Sequence, residues 1–123
     1  MNPILIVEDD PNTQLAVRAM LEELGHEDVS VAKDGVEALD ALRLETPPLM
    51  FLDIMMPRMD GIELLRELRR GSAPRPVHII VMSAHANRDD REAVIQLGAD
   101  QFLSKPFTLD QLEAVLGNVD SLF

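Results

Sequence analysis

The chain alternates between two kinds of hydrophobic pattern. Five short runs are almost wholly apolar, and the segments between them carry apolar residues every three or four positions. The runs cover residues 4–7, 29–32, 49–52, 77–82 and 101–104. Short apolar runs predict buried β-strands, and the spaced pattern predicts amphipathic helices. Because strand and helix alternate five times, we expect an α/β fold in which a parallel sheet has right-handed crossovers and helices on both faces.

Two helices carry signals at their ends as well as along their length. The first helical segment has four apolar residues at the i, i+3, i+4, i+7 spacing of one helix face, and Gly25 is placed to end it. The four residues are Val17, Met20, Leu21 and Leu24. In the last helix, Thr108 and Gln111 have the spacing of a capping box. These signals predict the end of the first helix and the start of the last.

Composition limits the classes of function. At 123 residues the chain fits one domain, and its formal net charge of −11 would repel nucleic-acid phosphates and anionic lipid. We therefore expect neither direct nucleic-acid binding nor membrane binding. The absence of cysteine excludes disulfides and thiolate metal sites. No apolar run approaches the roughly 18 residues of a membrane span, and no signal-like segment opens the chain, so we expect a cytoplasmic protein.

Acidic residues follow two of the apolar runs. Glu8, Asp9 and Asp10 come directly after the first run, and Asp53 comes directly after the third. The carboxyl ends of parallel strands meet at one edge of a sheet, where ligands bind in open α/β folds. Asp10 before Pro11 also suits the start of a helix. A cap does not need three consecutive carboxylates, however, and their repulsion is costly unless a cation lies nearby.

Two further polar residues follow the last runs. Ser83 comes after the fourth run, and Lys105 comes after the fifth and directly before Pro106. Taken singly, Asp53 and Ser83 suit turns or caps and Lys105 suits a solvated charge. Together they match phosphoryl transfer to a carboxylate, which needs a nucleophile, a hard cation bound by oxygen atoms, a hydroxyl donor and a fixed positive charge. We therefore expect Asp53 to accept a phosphoryl group beside a divalent cation.

Four sequence motifs resemble those of the receiver domain of two-component response regulators. They are Val7-Glu8-Asp9-Asp10-Pro11, Leu52-Asp53-Ile54-Met55-Met56-Pro57 with Met59-Asp60-Gly61, Val81-Met82-Ser83-Ala84, and Phe102-Leu103-Ser104-Lys105-Pro106-Phe107. The similarity runs from about residue 4 to residue 116, the expected core of a single domain that we assign to residues 1–123. It implies a doubly wound, flavodoxin-like (βα)5 sandwich with a five-stranded parallel sheet of order 2-1-3-4-5.

The resemblance also implies a metal site. Asp53 would take the phosphoryl group from a phosphohistidine or from a small phosphodonor. Asp9, Asp53 and the backbone carbonyl of Met55 would bind Mg²⁺, or Mn²⁺ in its place. Glu8, which stands where Asp is more usual, would act at least partly through water.

A conformational switch is implied as well. Ser83 and Lys105 would each bind a phosphoryl oxygen, Ser83 would move towards that oxygen, and Phe102 would turn inward. Phe102 occupies a place often held by Tyr, so the switch would rest on burial of the ring alone. Met55 and His85 occupy places that influence how quickly phosphoaspartate hydrolyses.

The implied function is a phosphoacceptor switch of a two-component or phosphorelay pathway rather than an enzyme. The chain would catalyse only its own phosphorylation and dephosphorylation. A sensor histidine kinase or a histidine phosphotransfer protein would supply the phosphoryl group. The face made by the fourth helix, fifth strand and fifth helix would contact a downstream protein target, with the chain a monomer or a dimer that forms on phosphorylation.

Alternatives remain open. The same fold could be the receiver of a longer transcription factor or output enzyme, which a reading frame continuing past Phe123 would show. A phosphohydrolase with an aspartyl-phosphate intermediate is the rival from another class, but enzymes of the haloacid dehalogenase type place a second acid two residues beyond the nucleophile, where this chain has Met55. A nucleotide-binding module is disfavoured because no Gly-rich loop follows the first strand.

Overall fold

The computed structural model describes residues 3–56, 58–84 and 88–119. Within these residues, parallel strands form one sheet in the order β2-β1-β3-β4-β5. The strands are β1 Ile4–Val7, β2 Val29–Ala32, β3 Leu49–Asp53, β4 His78–Ser83 and β5 Gln101–Ser104. The helices are α1 Pro11–Glu23, α2 Gly35–Leu44, α3 Gly61–Arg69, α4 Arg88–Gln96 and α5 Leu109–Gly117. The predicted flavodoxin-like α/β fold and its strand order are confirmed.

Two layers of aliphatic side chains hold the helices against the sheet. One layer joins α1 and α5 to one face through residues such as Leu21 and Leu112, and it includes the buried Phe51. The other joins α2, α3 and α4 to the opposite face through residues such as Leu42 and Leu65. Burial of this apolar surface is the main term that stabilises the fold. It also fixes the sheet edge from which the polar residues extend.

Central and edge strands differ in burial. Every residue of β1 and β3 is buried, as their continuous apolar sequences predict. The expectation of burial on both faces fails for β2 and β5, which are only partly buried because each lies at an edge of the sheet. The fourth strand also begins one residue later than predicted. Val77 is 62% exposed, whereas His78 pairs with Leu49 of β3 and starts the ladder.

Helix ends agree with the local signals. Asp10 caps α1 with Pro11 at its first turn, and Gly25 has a φ of 95° just beyond the end of that helix. The capping box of Thr108 and Gln111 is present at the start of α5. No helix in the described part of the chain is both long and apolar enough to cross a membrane.

Candidate functional site

Three carboxylates gather at the carboxyl edge of the central strands. Val7 of β1 pairs in register with Leu52 of β3, so the residues that follow them, Glu8 and Asp53, are neighbours across the sheet. One carboxylate oxygen from each of Glu8, Asp9 and Asp53 lies within 4.8 Å of the others. Glu8 and Asp53 are 1% and 4% exposed, whereas Asp9 faces solvent. This acidic cluster can hold a hard cation through oxygen ligands.

Lys105 brings a positive charge into the acidic cluster. Its Nζ donates to Oε1 of Glu8 and lies 3.2 Å from Oδ2 of Asp53. Its backbone N–H donates to the carbonyl of Ser83 at 2.8 Å, and its peptide bond to Pro106 is cis. Burial alone would lower the pKa of Lys105, but the hydrogen bond to Glu8 and the charge of Asp53 outweigh burial and raise it. The ammonium group therefore stays charged beside both acids.

Hydrogen bonds to both its side chain and its backbone hold Glu8 in place. Its Oε2 accepts from the backbone N–H of Asp10 at 3.2 Å, and its backbone carbonyl accepts from Nε2 of Gln14 at 2.6 Å. Burial raises the pKa of Glu8, the hydrogen bond from Lys105 opposes that rise, and the neighbouring Asp53 adds to it. The pKa of Asp9 is also raised, by desolvation and by the adjacent Glu8 carboxylate. The cluster therefore carries stored repulsion that a cation would relieve.

Asp53 is the last residue of β3 and faces the cluster from the centre of the sheet. Its Oδ1 accepts from the backbone N–H of Met55 at 3.2 Å, while Oδ2 faces Lys105. Met55 itself is 59% exposed in the loop between β3 and α3. That loop returns at Gly61, whose N–H donates to the carbonyl of Ile54 at 3.2 Å. Both oxygens of the candidate nucleophile are thus held by groups of its own surroundings.

Ser83 and Phe102 lie on the neighbouring strands. Ser83 ends β4 and is fully buried, one residue beyond Met82, which is the register partner of Asp53. Phe102 on β5 is half-buried, and the guanidinium carbon of Arg91 lies 5.1 Å from the centre of its ring. That separation is within the range of a cation–π contact. His85 lies outside the described residues.

Asp10 does not join the acidic cluster. Its side chain caps α1, accepting from the N–H of Asn12 at 3.3 Å and from the hydroxyl of Thr13 at 2.8 Å. These bonds, with that from Thr13 the stronger, hold the pKa of Asp10 below its ordinary range. Of the three consecutive acids, the last is therefore the capping residue and the first two are the candidate ligands.

Asp34 and Arg58 form an ion pair that joins the β2–α2 turn to the β3–α3 loop, and sequence reasoning missed it. Asp34 caps α2 by accepting from the N–H of Glu37 at 2.9 Å. Its other oxygen accepts from Nε of Arg58 at 2.7 Å and lies 2.6 Å from Nη2 of the same residue. Burial opposes ionisation of Asp34, but these contacts outweigh it and lower the pKa. The sequence carries a signal for the cap alone, because Asp34-Gly35 repeats the Asp-Gly pair that starts α3 at residues 60–61.

Comparison with known sequences gives one consistent family. The response regulator receiver domain matches residues 4–117. Response regulator Rre1 of Synechocystis sp. is 38% identical over 116 residues, which cover 94% of this chain and 50% of Rre1. Response regulator MprA of Mycobacterium avium is 41% identical over 111 residues, which cover 90% of this chain and 47% of MprA. The chain thus spans about half the length of these two regulators.

Solved structures show the same similarity. The receiver domain of the sensor histidine kinase PA1611 from Pseudomonas aeruginosa, crystallised with a magnesium ion coordinated in its active-site cleft, has a TM-score of 0.84 and 34% identity, covering 95% of each chain. Chemotaxis protein CheY4 of Vibrio cholerae has a TM-score of 0.86 and 28% identity, covering 97% of this chain and 98% of CheY4. Fold, acidic cluster and sequence all agree, and the chain belongs to the response regulator receiver domains of two-component signalling.

Proposed function

We propose that this receiver is switched by phosphorylation of Asp53. The observation that carries the proposal is the placement of the Asp53 carboxylate between an acidic cluster able to hold a cation and the Lys105 ammonium group, 3.2 Å from Oδ2. A carboxylate oxygen of Asp53 would form a bond to phosphorus while the bond from phosphorus to the imidazole nitrogen of a phosphohistidine breaks. The imidazole leaves with the electron pair and takes up a proton.

The acidic cluster fits Mg²⁺. It brings carboxylate oxygens of Glu8, Asp9 and Asp53 within 4.8 Å of one another, and oxygen atoms are the ligands that this hard cation prefers. Asp9, Asp53 and the backbone carbonyl of Met55 would be the direct ligands. Both oxygens of Glu8 already accept hydrogen bonds, from Lys105 and from the backbone of Asp10, which favours contact through water. Bound Mg²⁺ would offset carboxylate repulsion and neutralise charge on the phosphoryl oxygens.

Lys105 and Ser83 would respond to the modified side chain. Phosphorylation adds about −1.5 to −2 charge and three strong acceptor oxygens. The Lys105 ammonium group, already beside Asp53, can exchange its bond to Glu8 for a phosphoryl oxygen. The buried Ser83, adjacent to the register partner of Asp53, would donate its hydroxyl to another. The pull on the β4 end would reach β5, where Phe102 turns inward and leaves Arg91.

The partners follow from this chemistry. A sensor histidine kinase or a histidine phosphotransfer protein would donate the phosphoryl group, as befits a receiver domain, which is a regulatory phosphoacceptor rather than a conventional enzyme. The surface of α4, β5 and α5 would carry the change to a downstream protein, because both Phe102 and Arg91 lie there.

Acetyl phosphate labelling tests the assignment of the nucleophile. With Mg²⁺, we expect the wild-type chain to gain one phosphoryl group, measured by intact-protein mass spectrometry, and Asp53→Asn to gain none. Asp60→Asn is the matched control, since it removes the same charge from the loop that follows Asp53 while Asn still caps α3 in place of Asp60. Undiminished labelling of Asp53→Asn, or equal loss in both variants, would refute the proposal.

A further inference from the structure

The loop between β3 and α3 is fastened to the β2–α2 turn at two points. Arg58 in the loop donates from Nε to one oxygen of Asp34 at 2.7 Å, and its Nη2 lies 2.6 Å from the same oxygen as an ion pair. One residue later, the carbonyl of Met59 accepts from the N–H of Gly35 at 2.9 Å. A Cβ on Gly35 would lie 2.6 Å from that carbonyl oxygen, so the backbones meet at a distance that only glycine permits.

Arg58 has a backbone conformation that is unfavourable for a non-glycine residue. Its φ is 62°, in the left-handed region that non-glycine residues seldom occupy. Among the described non-glycine residues it is the one with a positive φ. Such a conformation persists where the surroundings over-determine it, and it is concentrated at functional sites. The surroundings here are the buried Asp34 carboxylate, whose side chain is 3% exposed.

The fastened loop carries part of the phosphorylation site. It leaves β3 at Asp53, and the N–H of Met55 donates to Oδ1 of Asp53. Its far end closes where Gly61 packs against the backbone of Asp53, with a virtual Cβ only 2.6 Å from the Asp53 carbonyl oxygen. Between these ends, Arg58 is held by its contact with Asp34.

We infer that Arg58 and Asp34 are positioning residues for the magnesium and phosphorylation site, holding the β3–α3 loop so that the Met55 carbonyl faces the acidic cluster. The inference rests on the proposed function, since it concerns the same site. Neither residue touches the reacting atoms. Their effect passes through the backbone of the loop, in the way that outer partners orient metal ligands.

Charge and loop positioning predict opposite changes in Mg²⁺ affinity when Arg58 is replaced. Replacing Arg58 by Gln removes a positive charge from the loop that follows Asp53, and the loss of Coulomb repulsion alone would tighten Mg²⁺ binding. Loss of loop positioning would weaken it instead. We expect Arg58→Gln to raise the Mg²⁺ dissociation constant about tenfold, the lower end of what outer-shell partners contribute. Isothermal titration calorimetry with MgCl₂ measures this without any phosphodonor.

Two variants separate positioning from stability. Arg58→Gly suits the left-handed backbone but lacks the guanidinium, so it should unfold at the same or a higher temperature than Arg58→Gln and still bind Mg²⁺ about tenfold more weakly than wild type. Arg58→Lys restores the charge and one hydrogen bond, and its affinity should lie between those of Arg58→Gln and wild type. If Arg58 acted only through overall stability, the Mg²⁺ affinity of these variants would instead fall in step with their unfolding temperatures.

Arg43→Gln is the matched control. Arg43 pairs with Asp40 at 3.2 Å on the exposed face of α2, so the change removes the same charge and an arginine–aspartate contact far along the helix. We expect its Mg²⁺ affinity to equal or slightly exceed that of wild type. Arg58→Gln and Arg58→Gly binding Mg²⁺ as tightly as Arg43→Gln would overturn the inference. A wild-type chain that bound no Mg²⁺ would overturn the proposed function, and this inference with it.

Discussion

Gly61 sets the closest approach in the site. A Cβ there would lie 2.6 Å from the carbonyl oxygen of Asp53 and 2.7 Å from the Cα of Ile54, and both are backbone atoms. Backbone at the end of a buried strand cannot move aside as a flexible side chain can. Asp60 just before it caps α3, accepting from the N–H of Glu63 at 2.9 Å. The Asp-Gly pair thus fixes the start of the helix and the return of the loop together.

Gly61→Ala should therefore destabilise the chain by about 1–3 kcal/mol, the usual cost of forcing an atom into a packed site, and lower the rate of Asp53 labelling. Urea unfolding followed by far-UV circular dichroism measures the first effect, since the chain has no Trp or Tyr to report by fluorescence.

Gly117→Ala is the control for that change. Gly117 ends α5 with no atom within 4 Å of a virtual Cβ, so alanine there should be neutral or add up to about 1 kcal/mol through helix propensity. A Gly61→Ala variant as stable as Gly117→Ala would show that the loop yields, contrary to the contact argument.

At the scale of single residues, sequence predicts local contacts but not the specific side-chain pairs that join distant residues. The caps at Asp10 and Thr108 depend on neighbours within three residues, and both were predicted. The contacts of Arg58 with Asp34 and of Lys105 with Glu8 join residues 24 and 97 positions apart. Such pairs depend on strand register and loop geometry, which no local spacing encodes.

Among the elements, β4, β5 and α5 are joined by a polar network at the edge opposite the site. Nε2 of Gln101 lies 2.9 Å from Nε2 of His78 and donates to the carbonyl of Val115 at 2.9 Å. Asn118, just beyond α5, donates to Oε1 of Gln101 at 2.7 Å. The amide nitrogen of Gln101 can only donate, so this contact is a hydrogen bond when Nε2 of His78 carries no proton, as in one tautomer of the neutral ring.

Protonation of His78 should weaken this network. Burial lowers the pKa of His78, the charge of Asp100 opposes that, and Arg75 adds to it. Since the folded pKa lies below the unfolded one, near 6.5, the unfolded chain binds more protons in that window. The contribution is fully present above about pH 6.5 and is lost as the pH falls through the folded pKa.

The measurement compares wild type with His78→Gln, whose amide removes the titration at that site. Between pH 7.5 and pH 5.5, the free energy of unfolding of wild type should fall further than that of the variant, by at most about 1.4 kcal/mol for each unit by which the pKa is lowered. Parallel curves for the two proteins would show that His78 does not titrate across this range on folding.

Strand boundaries could be predicted where an apolar run coincides with the residues that pair in the sheet. The bounds of β1, β2 and β5 match their runs, whereas β3 and β4 each extend to include a polar residue, Asp53 and Ser83. Both are buried by neighbouring strands rather than by their own character. Hydrophobic pattern therefore places the site at a strand end but cannot say that its key residues lie inside the ladder.

For the whole molecule, strand order decides whether the site exists. Pattern alone predicts five parallel strands, and many orders satisfy it; the order came from the resemblance. In the observed order β1 lies beside β3, which sets Glu8 next to Asp53, and β4 separates β3 from β5 while Lys105 reaches across it. The strand order therefore creates the acidic cluster. Repulsion among its carboxylates lowers the free energy of unfolding of the whole domain.

Mg²⁺ bound at the acidic cluster should offset this repulsion and stabilise the fold more than general screening by salt does. The chain carries a net charge of −11, so NaCl will stabilise it somewhat by screening. At matched ionic strength, MgCl₂ should stabilise it further, by about 2.7 kcal/mol when free Mg²⁺ is a hundredfold above its dissociation constant.

Asp9→Asn should abolish this excess stabilisation by MgCl₂, because Asp9 belongs to the acidic cluster. Asp10→Asn removes the same charge one residue along but leaves a capping side chain, and should keep the excess. Urea unfolding of the three proteins in each salt makes the comparison, and an equal response from both variants would mean that Mg²⁺ acts on the general charge of the chain and not at the carboxyl edge of β1 and β3.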